Sequence, residues 1–343
     1  LSVILVPLYT RILTPGDYGT LDVLNVFGSL VILTVALEIS QAVVRFMSDE
    51  QETSPLVVLC STLFLFSVLA YPVFASVVLA FGCPISGVLL GESDLILAFR
   101  LSVVRIALNG VFAFAHNQLR WQMMPKRFAA VGLVTAVVTA TMAVILAYGA
   151  GLGLVGVIAG SIVGFGVGTV MSLVAIRETL RFALNGRLLR RLLAFSLPLV
   201  PSGVAVFLST FTDRLMLRWV LGLEAVGLYG VGFRLASAVR LVMTGFQLAL
   251  TPLIYRNHYR PETPGQLARL FRWFIVFAVF SYVLLAVYSV DVLRLLTTEA
   301  YLGAAVVVPF VVPGVLMAGA YVFAPGVFLK KKTGRVLLIN LVS

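Results

Sequence analysis

The stretch Leu56–Ala80 reads LVVLCSTLFLFSVLAYPVFASVVLA and carries no charged residue along its whole length. About 20 apolar residues are enough to cross the hydrocarbon core of a bilayer as a helix, so this segment can span. Lipid offers no hydrogen-bonding partners, and every backbone N–H and C=O must be satisfied within the segment, which a helix achieves and an isolated strand does not. Lipid-facing barrel strands would alternate apolar and polar residues. This run does not.

Working outward, similar runs recur along the chain. A first helix ends near Tyr9. Others cover 21–44, 95–116, 128–148, 152–176, 193–218, 227–252, 271–290 and 301–322, and an eleventh opens at Val336. The expectation is an all-α polytopic membrane protein with about 10–11 transmembrane helices. Composition agrees, with 61% hydrophobic and only 11% charged residues, against about 25% charged in a soluble domain. The mean hydropathy is +1.08. Leu1 lies inside one apolar run and Ser343 follows the start of another, so the chain reads as a piece of a longer protein, truncated within helix one and after the start of helix eleven.

The net charge is +11. Numbering the expected helices in order, loops 2–3, 4–5, 6–7, 8–9 and 10–11 hold most of the basic residues. These are Arg45; Arg120, Lys126 and Arg127; Arg177, Arg181, Arg187, Arg190 and Arg191; Arg256, Arg260, Arg269 and Arg272; and Lys330, Lys331, Lys332 and Arg335. The opposite loops hold only Arg11, Arg218 and Arg294. Cytoplasmic loops carry the Lys/Arg excess, which predicts a cytoplasmic N-terminus. No Lys/Arg-rich domain stands outside the apolar runs, which argues against nucleic acid as a partner. Cys60 and Cys83 lie at opposite ends of one run, too far apart for a disulfide. His116 and His258 are isolated, so no metal site and no cofactor is expected. The connections are short and leave no folded extramembrane domain for an enzyme.

The chain also repeats itself. The outer turn Ile12-Leu13-Thr14-Pro15-Gly16-Asp17-Tyr18-Gly19 is echoed 208 positions later by Val220-Leu221-Gly222-Leu223-Glu224-Ala225-Val226-Gly227. At the same offset Lys126-Arg127 falls on Gly334-Arg335. Transporters are commonly built from such repeats. The reading is two pseudo-repeated six-helix lobes, 1–180 and 181–343, joined through the basic segment 177–191.

Four motifs stand in order along the chain: Pro7 through Gly19; Ser196-Leu197-Pro198-Leu199-Val200-Pro201-Ser202-Gly203 followed by Asp213-Arg214-Leu215-Met216-Leu217; Leu221 through Tyr229; and Lys330-Lys331-Lys332-Thr333. Together they resemble bacterial polysaccharide-export flippases of the multidrug, oligosaccharidyl-lipid and polysaccharide exporter superfamily. The resemblance covers essentially the whole chain in the right order. It implies two lobes around a central cavity. The implied activity is translocation of an undecaprenyl-pyrophosphate-linked oligosaccharide to the outer leaflet of the bacterial inner membrane, for cell-surface polysaccharides such as O-antigen, lipopolysaccharide or exopolysaccharide. The expected partners are that lipid-linked glycan, membrane lipids and other polysaccharide-assembly proteins.

Ionisable residues deep in a bilayer cost at least about 2.5–3.5 kcal/mol each and mark function. Arg105, Asn109, Phe112 and His116 share one helical face, as do Ser237, Arg240, Thr244 and Gln247. A polar stripe of that kind is expected to face a cavity. Arg105 and Arg240, with Arg100 and Arg234 toward the outer side, are the candidate cavity cations, because guanidinium pairs with phosphate in forked geometry. Asn109 and Gln247 complete the polar cavity faces. Asp213 with Arg214 or Arg234 forms a candidate pair, structural or ion-coupling. Thr34, Glu38, Gln41 and Arg45 are placed on one face of helix two, with Glu38 a candidate proton carrier for H+ or Na+ coupling. Asp22 and Asn25 are expected near the outer end, in contact with water. Pro198, Pro201 and Gly203 interrupt helix seven as a candidate hinge. The alternatives are a drug or cation antiporter of the same superfamily, which would need acidic cavity residues, and a membrane glycan polymerase or ligase, which would need a long external loop.

Overall fold

The computed structural model describes residues 2–47, 56–91, 93–180, 184–240, 243–245, 247, 262–320 and 323. Every regular element among the described residues is helical. In chain order they are α1 (Ser2–Ile12), α2 (Pro15–Ala36), α3 (Ile39–Met47), α4 (Leu56–Ala80), α5 (Gly82–Leu90), α6 (Ile96–Trp121), α7 (Pro125–Val144), α8 (Gly153–Ile176), α9 (Gly186–Ser196), α10 (Val200–Leu221), α11 (Leu223–Ser237), α12 (Thr263–Leu296) and α13 (Val308–Ala320). A π-helical turn, Ile145–Gly149, extends α7, and a 3-10 segment, Glu299–Val306, precedes α13. Among the described residues seven helices are long and apolar enough to cross a membrane, or eight if the bent pair Glu299–Val306 and Val308–Ala318, turned by 56°, counts as one span. This is a multi-pass membrane protein. The expected end of helix eight at 252, the Lys330–Thr333 turn and the eleventh helix lie outside the described residues.

The chain packs as two compact units. One contains the described residues of 12–227, and the other contains Ser2–Arg11 and the described residues from Leu228 onward. In the larger unit α7 and α8 form the tightest pair. Gly156, Gly160, Gly164 and Gly168 recur every four residues down one side of α8. A methyl group at each would overlap, respectively, Ala147, Ala143, Thr139 and Thr135 of the opposing antiparallel helix. Lipid gives no hydrophobic drive for helix pairing, so close van der Waals approach through small residues takes its place. Replacing Gly160 by Leu is expected to cost about 1–3 kcal/mol, read as a lowered melting temperature of the detergent-solubilised protein. The same change at Gly87, which meets nothing within 4 Å, should leave it almost unmoved.

In the smaller unit the expected helix 227–252 breaks after Ser237, so Ser237 and Arg240 are not on one continuous helix. The expected helix 301–322 is a 3-10 segment bent by 56° onto α13. In the larger unit three elements depart from the sequence reading. Helix two was expected to be continuous over 21–44, but it breaks after Ala36, where Leu37 and Glu38 both take left-handed backbone at φ 50° and 53°. Thr34 and Glu38 therefore do not share a helical face with Gln41 and Arg45. The cause is burial beyond the break. Ile39, Ala42 and Val43 sit in one apolar cluster with Leu188 and Leu192 of α9, and Phe46 meets Phe195 edge-on at 5.9 Å. The second departure is α9 itself, in a segment read as a basic connector. Asn185 caps it by accepting from the Leu188 N–H at 3.1 Å. Leu188, Leu192 and Ser196 are buried on one side, and Arg187, Arg190 and Arg191 lie exposed on another. The third is α5, whose C-terminal carbonyls at Leu89 and Leu90 accept from the Arg218 guanidinium. Arg218, read as a plain outer-loop cation, is a helix cap.

In the smaller unit Gly232 of α11 lies against the Ala304 carbonyl and Val307, with no room for a side chain. The Thr298 hydroxyl donates to the Thr10 carbonyl at 3.4 Å, tying the end of α1 to the start of the 3-10 segment.

Candidate transport and coupling site

Helix α2 supplies the acceptors of the larger unit's polar interior. Thr14 starts it with a capping box: the Asp17 N–H donates to Thr14 Oγ1 at 3.2 Å and the Thr14 N–H to Asp17 Oδ2 at 3.2 Å. One and two turns on come Asp22 and Asn25, three residues apart and on the same face. Arg214 of α10 donates through Nε to Asp22 Oδ2 at 2.9 Å, and the two side chains are only 7% and 9% exposed. Arg105 of α6 donates through Nη1 to Asn25 Oδ1 at 2.9 Å. Two helices far apart in sequence are thereby tied to one face of α2.

Arg214 has further partners. Its Nη1 lies 3.4 Å from Asp213 Oδ1 and 3.4 Å from the Thr210 carbonyl. Its guanidinium stands 5.5 Å from the centre of the Phe211 ring, within range of a cation–π attraction. The Asp213–Arg214 contact expected from sequence is present, but the shorter bond goes to Asp22. Asp22 was placed in water by its nearness to the outer end; it is buried, because an apolar helix packed on both α6 and α10 leaves it no route to solvent. The cost of a charge in lipid, which singles out the deep arginines, applies equally to Asp22.

A second polar locus sits at the break in α2. Glu38, Gln41 and Leu33 line a cavity of about 420 Å³ together with Leu199, just before α10, and Ser202, Gly203 and Val206 from its start. A methyl group at Gly203 would stand 3.0 Å from Glu38 Oε1 and 2.6 Å from Leu33 Cδ1. The glycine is what leaves space for the carboxylate. Pro198 lies in a 3-10 turn, Leu197–Leu199, and Pro201 in the first turn of α10. At both places a proline needs no N–H partner. Of the candidate hinge residues, Gly203 shares this cavity with Glu38, the candidate coupling carboxylate, and Pro198 and Pro201 lie in the adjoining turns.

The remaining candidates are spread out. Arg100 is exposed on α6, and Asn109 is half-buried two turns further on. His116, at the inner end of the same stripe, is no cavity residue. It stacks between Phe112 at 5.1 Å and Phe128 at 4.1 Å, with Nε2 2.9 Å from the Phe128 carbonyl. In the smaller unit Arg234 is half-buried, Arg240 exposed and Gln247 half-buried, and the Arg240 carbonyl accepts from the Thr244 hydroxyl at 2.8 Å. Among the described residues no group of three or more His, Cys, Asp or Glu could hold a metal ion.

Long apolar helices, with a second span broken at Leu37 and Glu38 and a cavity beside the break, define a polytopic helical membrane fold. In structure the chain is similar to an inward-facing multidrug resistance MATE family transporter of the MOP superfamily, with a TM-score of 0.72 at 11% identity over 94% of this chain and 79% of that one. It is also similar to the MATE multidrug transporter DinF-BH, at TM-score 0.65 and 18% identity over 99% and 82% of the two chains. The Vibrio cholerae MATE transporter VcmN in its bent form gives 0.52 and 15% over 88% and 77%. At these identities the likeness is one of fold. No curated protein matches the chain by sequence. The family model described as polysaccharide biosynthesis protein matches residues 8–306, and the chain belongs to that family. The family is described by polysaccharide biosynthesis, and the fold is one shared with MATE transporters.

Proposed function

We propose that the protein flips an undecaprenyl-pyrophosphate-linked oligosaccharide from the cytoplasmic to the outer leaflet of the bacterial inner membrane, by alternating access of two lobes. The observation that carries this reading is the match of residues 8–306 to a polysaccharide biosynthesis family on an exporter fold. The charge balance supports it. Arg100, Arg105, Arg234 and Arg240 are the candidate headgroup contacts, and a lipid-linked pyrophosphate is a dianion or more. Asn25 Oδ1 accepts from the Arg105 guanidinium at 2.9 Å and orients it.

Glu38, beside Gly203 at a bend rich in proline, is the candidate carrier of a coupling H+ or Na+. Rocking at Pro198, Pro201 and Gly203 is the associated motion. Asp213 and Arg214 form a structural pair in this scheme. The N-terminus is placed in the cytoplasm, and other polysaccharide-assembly proteins are the candidate partners.

A drug or cation antiporter is the second reading, favoured by the multidrug transporters among the similar structures and by the carboxylate in the Glu38 cavity. The full-length gene is expressed in a flippase-deficient strain and the accumulating lipid-linked glycan is identified by mass spectrometry. Restored surface glycan supports the flippase, whereas altered drug resistance with no glycan export gives the second reading. Arg105→Gln and Arg240→Gln are each expected to abolish export while the protein still inserts in the membrane. Unchanged export from both variants removes the cationic mechanism.

A further inference from the structure

A groove of about 530 Å³ runs between α7 and α8 at the end where both carry arginine. Arg127 stands two residues after α7 begins at Pro125, and Arg177 directly follows the end of α8 at Ile176. Both are exposed. Arg127 Nη1 donates to the Ala175 carbonyl at 3.0 Å and lies 3.8 Å from Met124 Sδ. That holds the guanidinium over the C-terminus of α8, with Nε and Nη2 not used by these contacts. Below the arginines the walls turn apolar. Val131 is buried at the floor, and Val170 and Val174 are 61% and 60% exposed along the side. Glu178 stands on the rim.

We propose that this groove binds an anionic phospholipid, with its phosphate between Arg127 and Arg177 and one acyl chain along Val131, Val170 and Val174. Two features select a lipid over a soluble anion. Both helices are long and apolar enough to span, so valines exposed along their sides face hydrocarbon. The arginines mark the ends of those spans, the level at which headgroups begin, and on the side that the loop charges predict to be cytoplasmic, where basic pockets between helices meet anionic headgroups. Inorganic phosphate would gain from the charges but nothing from the valines. The inference is independent of what the protein transports.

The test releases the intact protein from nanodiscs of equal phosphatidylglycerol and phosphatidylcholine and counts retained lipids by native mass spectrometry. Phosphatidylglycerol is expected to be retained in preference. The double substitution Arg127→Gln with Arg177→Gln should weaken its retention about thirtyfold, at about fivefold per charge. Glu178→Gln, which removes the rim carboxylate, should tighten it by about fivefold. Val174→Trp, which fills the apolar trench and leaves the arginines, should release the lipid, and millimolar inorganic phosphate should not displace it from the wild type. Equal retention of the two lipids overturns the proposal. So does displacement by phosphate together with an unaffected Val174→Trp, which would mark a site for free phosphate. If the double substitution fails to fold, the opposite signs expected for Glu178→Gln and Val174→Trp still decide.

Discussion

Replacing Arg214 by Met should destabilise the protein by about 3–5 kcal/mol, among the largest effects of any single substitution, because it leaves a buried carboxylate without its guanidinium. The converse change, Asp22→Ala, should cost less, since Arg214 keeps Asp213 Oδ1 at 3.4 Å and the Thr210 carbonyl. Combining the two should recover much of the loss, because a buried ion pair replaced by apolar groups is often close to neutral. The measurement is a double-mutant cycle on detergent-solubilised protein, with thermal unfolding as readout. Additive losses would mean that the two side chains do not interact, and the contact between α2 and α10 would need another explanation.

The second large effect concerns Gly227. A methyl group there would overlap the Pro15 carbonyl and approach the Gly19 amide, and a methyl group on Gly19 would overlap the Leu223 carbonyl and approach the Gly227 amide. The contact is reciprocal. Pro15 with Leu223, and Gly19 with Gly227, are related by the same 208-residue offset that links the two outer turns in sequence, and α2 and α11 begin at Pro15 and Leu223. Backbone meets backbone on both sides, so no rotamer can relieve an added side chain. Gly227→Val is expected to cost about 3 kcal/mol, the upper end of overpacking effects, and to abolish export if the contact must re-form in each cycle. Gly222→Ala makes a useful control: nothing stands within 4 Å of that position, and any loss there would report only its backbone angle, φ 91°. A Gly227→Val variant with wild-type melting and wild-type export would show that the two turns separate freely.

Much of the architecture was legible because lipid imposes a simple code. Uninterrupted apolar length located α4, α6, α7 and α8 to within a few residues, whereas the contact between the two turns of the repeat was not read from their likeness. Breaks inside an apolar run were not legible. Leu37 and Glu38 are neither glycine nor proline, and what holds them in left-handed backbone is the burial of Ile39, Ala42 and Val43 against α9, a long-range contact that periodicity does not carry. The basic helix α9 was hidden for a related reason: its arginines read as loop charge, although Leu188 and Leu192 recur one turn apart. At the polar interior the arginines were found and their acceptors were not. Asp22 was judged by distance from the end of its helix, whereas the partner that keeps it dry, Arg214, is 192 residues away. The glycines at 156, 160, 164 and 168 were in plain view, but spacing alone does not say which helix they receive.

Those four glycines also limit how the molecule can deform. With recesses repeating every four residues on α8 and matching residues on α7, a slide of one, two or three residues would set a side chain against the opposing main chain. The next register in which the surfaces mesh is about 6 Å away, at 1.5 Å per residue. Small axial adjustments between α7 and α8 are therefore blocked, and the pair travels as a keyed block. Strain from any larger rearrangement has to be taken up elsewhere in the larger unit, at the interrupted stretches around Glu38 and Pro198–Gly203, where the helical ladder is already open.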